Sequence, residues 1–290
     1  MSGFSAEWLR LREPADAAAR SPALTARLIA WRRRHDALSV LDLGSGTGSN
    51  FRCLARVLGG KQRWRLLDHD PALLARAGEA LRQWAVRRGM TATDEGDETL
   101  ILEDDANHYR LERLCLDLNE DWARLAAAPN PRLITASALI DLVSADWLAR
   151  LARRCRQWRA ALLIVLSYDG SIAWEPAMED DERVREWINR HQCTDKGFGS
   201  ALGPDAAPTL ADLLERLDYR VDLRPSPWLL AAQDAALQTA LLDGWTEAAR
   251  HIAPGPNIWL DDWSRHRRDL IERGHSRLSV GHWDLFASLE

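Results

Sequence analysis

The chain has 290 residues, 46% of them hydrophobic and 28% charged, with a formal net charge of -5. That composition supplies a sizeable buried core and argues against a general polyanion binder, so nucleic acid is not the default partner. Its longest apolar run, residues 160–166, is far too short to cross a bilayer, and no targeting or membrane segment is apparent.

Strand and helix signals alternate along the chain, which favours one α/β unit with insertions over two domains. Residues 4–36 read as helix, broken at Pro14 and restarted after Ser21-Pro22, with Trp8, Leu9, Leu11, Leu24, Leu28 and Trp31 as apolar anchors. Residues 1–36 are thus expected to form a helical arm ahead of a main domain at 37–290. Val40 to Leu43 then reads as a buried parallel strand that delivers Asp42 and a run of alternating glycines, Gly44, Gly46 and Gly48, into a tight turn. Phe51, Leu54, Ala55 and Leu58 give the helix that follows. A dinucleotide fingerprint requires glycine at position 49, where the chain has Ser49. The second strand ends at Leu66-Leu67-Asp68, and Asp70 before Pro71 is a helix cap with proline at the first helical position. Asp68, about twenty residues beyond the glycine turn, is placed to accept hydrogen bonds from ribose hydroxyls.

The stretch from residue 40 to 77, with Asp42-Leu43-Gly44-Ser45-Gly46-Thr47-Gly48 at its head, resembles the class I, Rossmann-like S-adenosylmethionine-dependent methyltransferases. The resemblance implies a doubly wound, mostly parallel seven-stranded α/β sheet and S-adenosyl-L-methionine as cofactor. It implies cofactor contacts from Asp42, Gly44, Ser45, Gly46 and Asn50 on the first turn and from Asp68 and His69 on the second. In such enzymes the segment before the first strand often folds over the cofactor site, which makes Arg12 a candidate substrate contact, with Glu13, Asp16 and Arg20 beside it.

Residues 91–98 read as a turn-rich, acidic and mobile stretch, and the segments 100–102 and 111–116 as a small antiparallel addition to the sheet. Leu114-Cys115-Leu116-Asp117-Leu118 is similar to the family's third strand, so Asp117 and Leu118 are expected at the adenine. Leu133 to Ser137 is the fourth strand, and the resemblance puts Ser137 at the cofactor edge and Asp141 on the acceptor side. The amino-methylating signature N/D-P-P-Y/F does not occur there, which weakens a nucleic-acid reading. Residues 160–167 give the fifth strand, continuous in hydrophobicity as a central parallel strand should be.

An insertion is expected from about 168 to 208, over the carboxyl ends of the strands where open α/β sheets bind ligands. Tyr168, Trp174 and Lys196 are candidates for binding the acceptor. His191 is the candidate general base, because histidine titrates near neutrality without special tuning, and Asp169 is the group expected to orient it or the acceptor. A second insertion, at about 227–276, holds two helices that could wall the acceptor pocket or form the surface of a homodimer. Cys53, Cys115, Cys155 and Cys193 are widely spaced, with no partner at zinc-site spacing, so free thiols in a reducing cytoplasm and no metal are expected. Most of the 14 tryptophans should pack in the core, with some left for an acceptor pocket. The function expected is methyl transfer to a small-molecule acceptor, oxygen or nitrogen rather than carbon. A protein or RNA methyltransferase and a non-catalytic cofactor-binding partner subunit stay open as alternatives.

Overall fold

The computed structural model describes residues 4–120, 129–253, 255 and 258–289. Two helices, α1 (Ala6–Ala19) and α2 (Pro22–Arg32), precede the sheet, and each starts on a serine whose hydroxyl accepts from the first turn. Contrary to expectation, α1 does not break at Pro14 but runs straight through it. An interior proline destabilises a helix by about 3 kcal/mol or more, and here tertiary contacts offset that loss: Leu9 seats against Gly46, and Glu13 pairs with Arg52 at 2.6 Å.

The remaining α-helices among the described residues are α3 (Ser49–Leu58), α4 (Pro71–Val86), α5 (Ala145–Trp158), α6 (Asp181–Gln192), α7 (Ala206–Glu215), α8 (Ala235–Ile252) and α9 (Ile258–Glu272). Asp70 caps α4 as its sequence position foretells, accepting from the backbone of Ala72 at 2.8 Å.

The strands are β1 (Ala37–Leu43), β2 (Lys61–Asp68), β3 (Thr91–Asp94), β4 (Thr99–Glu103), β5 (His108–Cys115), β6 (Leu133–Ser137), β7 (Ala161–Glu175), β8 (Arg220–Pro225), β9 (Trp228–Leu230) and β10 (Arg277–Ser288). They form one sheet in the order β3-β4-β5-β2-β1-β6-β7-β10-β8, with β9 added on β10. The five strands from β5 to β7 pair in parallel, and β10 inserts antiparallel between β7 and β8. That is the doubly wound seven-stranded arrangement expected, extended at one edge by the β3-β4 hairpin and at the other by β9.

Three departures follow from pairing that local pattern does not reveal. Thr91–Asp94, read as a mobile turn, is an exposed edge strand held by β4. Leu111 to Leu114, read with residues 100–102 as an antiparallel addition, does pair antiparallel with β4 through Leu111 and Glu112, but it is at the same time part of the third parallel strand, which begins three residues earlier at His108 and lies on β2. Tyr168 to Glu175, read as the start of an insertion, continues β7 because β10 pairs with it from Arg277 to Ala287.

The core lies in three parts. On one face of the sheet Leu24, Leu28, Trp31, Phe51, Leu81 and Trp84 pack from α2, α3 and α4 against Trp64 of β2, and on the other Trp147, Leu151, Leu210 and Leu214 pack from α5 and α7. Successive residues of β1 serve opposite faces, Val40 the first and Leu41 the second, as a strand covered on both sides must arrange them. The third part, with Trp174, Trp187, Trp228 and Trp263, fills the space between the long β7-β10 ribbon and the helices α6, α8 and α9.

Candidate active site

The strand order reverses beside β1, with β2 on one side and β6 on the other, and the crevice beyond their carboxyl ends is where such sheets hold ligands. Gly44, Gly46 and Gly48 form the turn there at φ of 62°, 52° and 77°, in the left-handed region that other residues enter only at a cost. A side chain on Gly44 or Gly46 would also meet a neighbour, Leu139 at 3.3 Å or Leu9 at 2.9 Å. The turn is tied to the second strand twice. The Ser45 amide donates to the Leu67 carbonyl at 2.7 Å, and the Gly46 amide donates to Asp68 Oδ2 at 2.8 Å. The other carboxylate oxygen of Asp68 accepts from the Asp70 amide at 3.0 Å, so one side chain sets the geometry of both turns. His69 beside it is mostly exposed, with Nδ1 3.5 Å from Asp68.

Asp42 is fully buried at the end of β1, where loss of solvation pushes its carboxyl up to about 7 against the opposing pull of the Asn50 hydrogen bond and the Arg20 charge. Asn50 Nδ2 bridges Asp42 Oδ1 at 2.7 Å and Thr135 Oγ1 at 3.0 Å, fixing the carboxylate across two strands. Asp42 Oδ2, Ser45 Oγ and Asn50 Oδ1 are buried with no hydrogen-bond partner. Buried polar atoms are almost always paired, so three orphans around a bare glycine turn fit a polar ligand group lying against it.

The two remaining strand ends complete the crevice. Asp117 Oδ1 accepts from the Asn119 amide at 2.7 Å, the buried Leu118 offers its carbonyl to Trp147 Nε1 at 3.1 Å, and Ser137 lies half-buried at the tip of β6. Asn119 Nδ2 donates to the Gly197 carbonyl at 2.6 Å, which brings the loop after α6 against the segment that follows β5.

The acceptor-side candidates separate into two groups. Asp141, on a turn after β6, is buried, with Oδ1 unpartnered and its carboxyl pushed up to about 6 by burial. It acts electrostatically on Tyr168, as Arg12 does on it. Arg12 makes a two-point pair with Asp16 and lies 4.8 Å from the Trp228 ring centroid. Trp228 packs on His282, and His282 on Tyr168. Burial holds His282 down at about 3, so its imidazole is neutral throughout the physiological range.

His191 and Lys196 form the other group. Lys196 Nζ lies 3.4 Å from His191 Nδ1, the His251 ring is 5.7 Å away, and burial, Lys196 and His251 all lower the histidine's pKa. Asp169 does not join them: its Oδ1 accepts from the Ser171 amide at 2.8 Å and hydroxyl at 2.5 Å, beside Gly281. Trp174 is committed to the third core cluster, edge-on to Trp245 and Trp263.

Sequence reasoning passed over Asp284, Trp228 and His282. A lone acid inside the apolar run Trp283 to Ala287 was the available signal for the first. Its carboxylate accepts from the Ser21 amide at 2.8 Å, the Leu166 amide at 2.8 Å and the Ser226 hydroxyl at 2.7 Å, joining the arm to β7 and β10. Leu166 sits there at φ 58°, a strained setting for a leucine that the Asp284 bond holds.

No protein-family model matches the chain, and no curated protein matches it. Among solved structures it is similar to a cyclopropane synthase of Mycobacterium tuberculosis, with 13% identity over 98% of this chain and 95% of that one and a TM-score of 0.46. It is also similar to a SAM-dependent methyltransferase of Geobacter sulfurreducens in complex with S-adenosyl-L-homocysteine, with 16% identity over 99% and 98% of the two chains and a TM-score of 0.44. A phosphoethanolamine N-methyltransferase of Haemonchus contortus is 12% identical over 100% of this chain and 59% of that one, at a TM-score of 0.46. The strand order and the glycine turn themselves give the chain the Rossmann-like fold of class I S-adenosylmethionine-dependent methyltransferases.

Proposed function

We propose that the chain is an S-adenosylmethionine-dependent methyltransferase acting on a small-molecule acceptor at oxygen or nitrogen. The observation that carries this reading is the glycine turn pinned by Asp68, with the orphaned Asp42 Oδ2, Ser45 Oγ and Asn50 Oδ1 around it. When bound, the cofactor would supply a methyl group already activated by its sulfonium. The chain's own task is then to position the acceptor, exclude water and take up a proton. Asp68 would accept from the ribose hydroxyls, with His69 alongside, while Gly44 and Gly46 let the amino-acid end lie against the backbone near Asp42. Asp117 and Leu118 would hold the adenine, and Ser137 the cofactor's edge.

On the acceptor side, Asp141, Tyr168 and Arg12 are grouped at the mouth of β6 and β7, and His191 with Lys196 stands on the α6 side. His191, its pKa lowered by burial, is in its proton-accepting form at neutral pH. The arm at 1–36 would close over a catalytic domain at 37–290. Four free cysteines support a reducing, cytoplasmic setting, and no helix among the described residues is long and apolar enough to cross a membrane. The helices α8 and α9 are candidates either to wall the acceptor pocket or to form a homodimer surface, and sedimentation would test the second.

Calorimetry tests the central claim. S-adenosylmethionine or S-adenosylhomocysteine should bind saturably, and Asp68→Ala should weaken binding by about 1–3 kcal/mol, the usual loss for a hydrogen bond to a charged group. NADH binding at the same site, displaced by S-adenosylmethionine, would contradict the reading of Ser49.

A further inference from the structure

At the amino ends of the central strands, the other end of β1 from the glycine turn, lies a cavity of about 550 Å³, bounded by the joint between α2 and β1, the residues before β6 and the end of α5. Cavities of roughly 300–1,000 Å³ are the size that hold small molecules. Arg34, Arg132 and Arg159 open into this one, and no acid lines it among the described residues. The chain has 43 acidic residues against 38 lysines and arginines, so an acid-free group of three guanidiniums is a local reversal of its charge. None of the three has an ion pair among the described residues. His35 stands with them. Its Nε2 is buried without a hydrogen-bond partner, its ring lies 4.6 Å from that of Trp31, and burial and then the charges of Arg132, Arg34 and Arg32 lower its pKa. Buried polar atoms are almost always paired, and bare guanidiniums seek oxygen acceptors, so the cavity has one demand throughout, an anion.

The backbone beneath these side chains is fixed. The Arg132 amide donates to the Ser39 carbonyl at 2.9 Å and hydroxyl at 3.0 Å, and its carbonyl accepts from the Ala161 amide at 2.8 Å, which holds the residue between β1 and β7. The His35 amide donates to the Arg32 carbonyl at 3.0 Å, and its own carbonyl accepts from Arg32 Nη1. Arg159 caps α5 at φ 53°, a left-handed position that glycine fills freely and arginine only with strain. Strain of that kind clusters where a side chain is used.

We propose that this cavity binds a small phosphate monoester, with its phosphate held by Arg34, Arg132 and Arg159 and its organic part against Trp158 and Leu289. A carboxylate carries one charge and two oxygens in a plane, which satisfies one guanidinium fork. A phosphate monoester carries close to two charges and three free oxygens, enough for forks that arrive from three separate segments. The half-buried Trp158 and Leu289 supply an apolar wall that a bare inorganic anion would leave uncovered. The site is separate from the crevice at the carboxyl ends of the strands and does not depend on the methyltransferase reading.

The test is calorimetry on the full chain with phenyl phosphate, inorganic phosphate and benzoate. Phenyl phosphate should bind about tenfold or more tighter than benzoate, the loss expected for charge-assisted hydrogen bonds that a carboxylate cannot make. It should also bind tighter than inorganic phosphate. Arg34→Gln and Arg132→Gln should each weaken phenyl phosphate about 5- to 10-fold. Arg76→Gln, which removes the same charge from the exposed side of α4, should leave it within about twofold. Arg159→Gly should weaken binding as the other two do yet melt no lower than the wild type, because glycine relieves the left-handed cap. Saturation with phenyl phosphate should raise the pKa of His35 in an NMR titration, since an anion beside the ring favours its charged form. Benzoate bound as tightly as phenyl phosphate, or an equal loss from Arg76→Gln, would overturn the assignment. So would displacement of phenyl phosphate by S-adenosylmethionine, which would place it in the crevice, or the lack of any saturable binding at millimolar concentration. Inorganic phosphate bound as tightly would overturn the ester and leave the free anion as the ligand.

Discussion

Cofactor affinity should depend on pH through Asp42. The acid is fully buried, and burial raises its pKa from 3.8 to about 7 despite the Asn50 hydrogen bond. An ammonium group is bound by the ionised carboxylate, so apparent affinity follows the ionised fraction. With a pKa near 7 that fraction is roughly nine-tenths at pH 8, half at pH 7 and one-eleventh at pH 6, so the apparent Kd should rise about tenfold between pH 8 and pH 6. Titrating S-adenosylhomocysteine calorimetrically in buffers of different ionisation enthalpy counts the protons released, about half a proton per site at pH 7 and nearly one at pH 6. Asp42→Asn should bind weakly and lose the pH dependence. Constant affinity from pH 6 to 8 with no proton release would refute the argument, because either the acid is already ionised in the free protein or it does not meet the ammonium. The same shift acts on stability. A carboxyl raised in the folded state binds extra protons there between pH 3.8 and about 7, so its contribution is most favourable at low pH and is lost as pH rises through that window. Without ligand, Asp42→Asn should therefore gain on the wild type as pH rises from 5 to 8, which is measurable by denaturant midpoints.

Gly46→Ala should destabilise the protein by about 1–2 kcal/mol from its φ of 52° alone. The added contact with Leu9 Cδ1 should be relieved in the Gly46→Ala, Leu9→Ala double variant while the backbone strain persists, as urea melts of the two would show. Asp284→Ala leaves three donors without an acceptor, and each buried orphan costs about 1–3 kcal/mol. Urea unfolding should register a loss of about 3 kcal/mol or more, with new proteolytic cleavage near Ser21 as the arm loosens; an intact arm would assign Asp284 to the sheet alone. His191→Ala should keep cofactor affinity within about twofold and lower turnover at least about a hundredfold if the imidazole takes the proton. A loss of only a few-fold would leave positioning as the catalytic contribution of that side.

The parts of the site legible in the sequence are those where one residue type answers one local demand. Glycines at 44, 46 and 48 are needed because the backbone there is left-handed, and Asp70 before Pro71 announces a helix start by capping alone. Asp68 was placed correctly at the tip of β2, but local reasoning could not show that its first duty is to hold the Gly46 and Asp70 amides. Residues 168–175 misled because Tyr168-Asp169-Gly170 carries turn chemistry, and only the partner strand more than a hundred residues later makes it extended. Pro14 misled for a related reason, since the contacts that keep α1 whole lie on Gly46 and Arg52.

Asp284 shows what kind of information was missing. Its three donors come from residues 21, 166 and 226, and none is within fifty residues of it, so no window of sequence contains the bond set. The composition of its strand does contain the demand: an acid flanked by Trp283, Leu285 and Phe286 in a buried strand must find donors or be neutralised. The donor it finds at Ser21 is the backbone of the residue that caps α2, so the bond that satisfies this acid also holds the joint between α1 and α2 against the sheet. The arm and the β7-β10 ribbon are in this way one mechanical unit, which is why loosening Asp284 should free the arm and lower the stability of the sheet together.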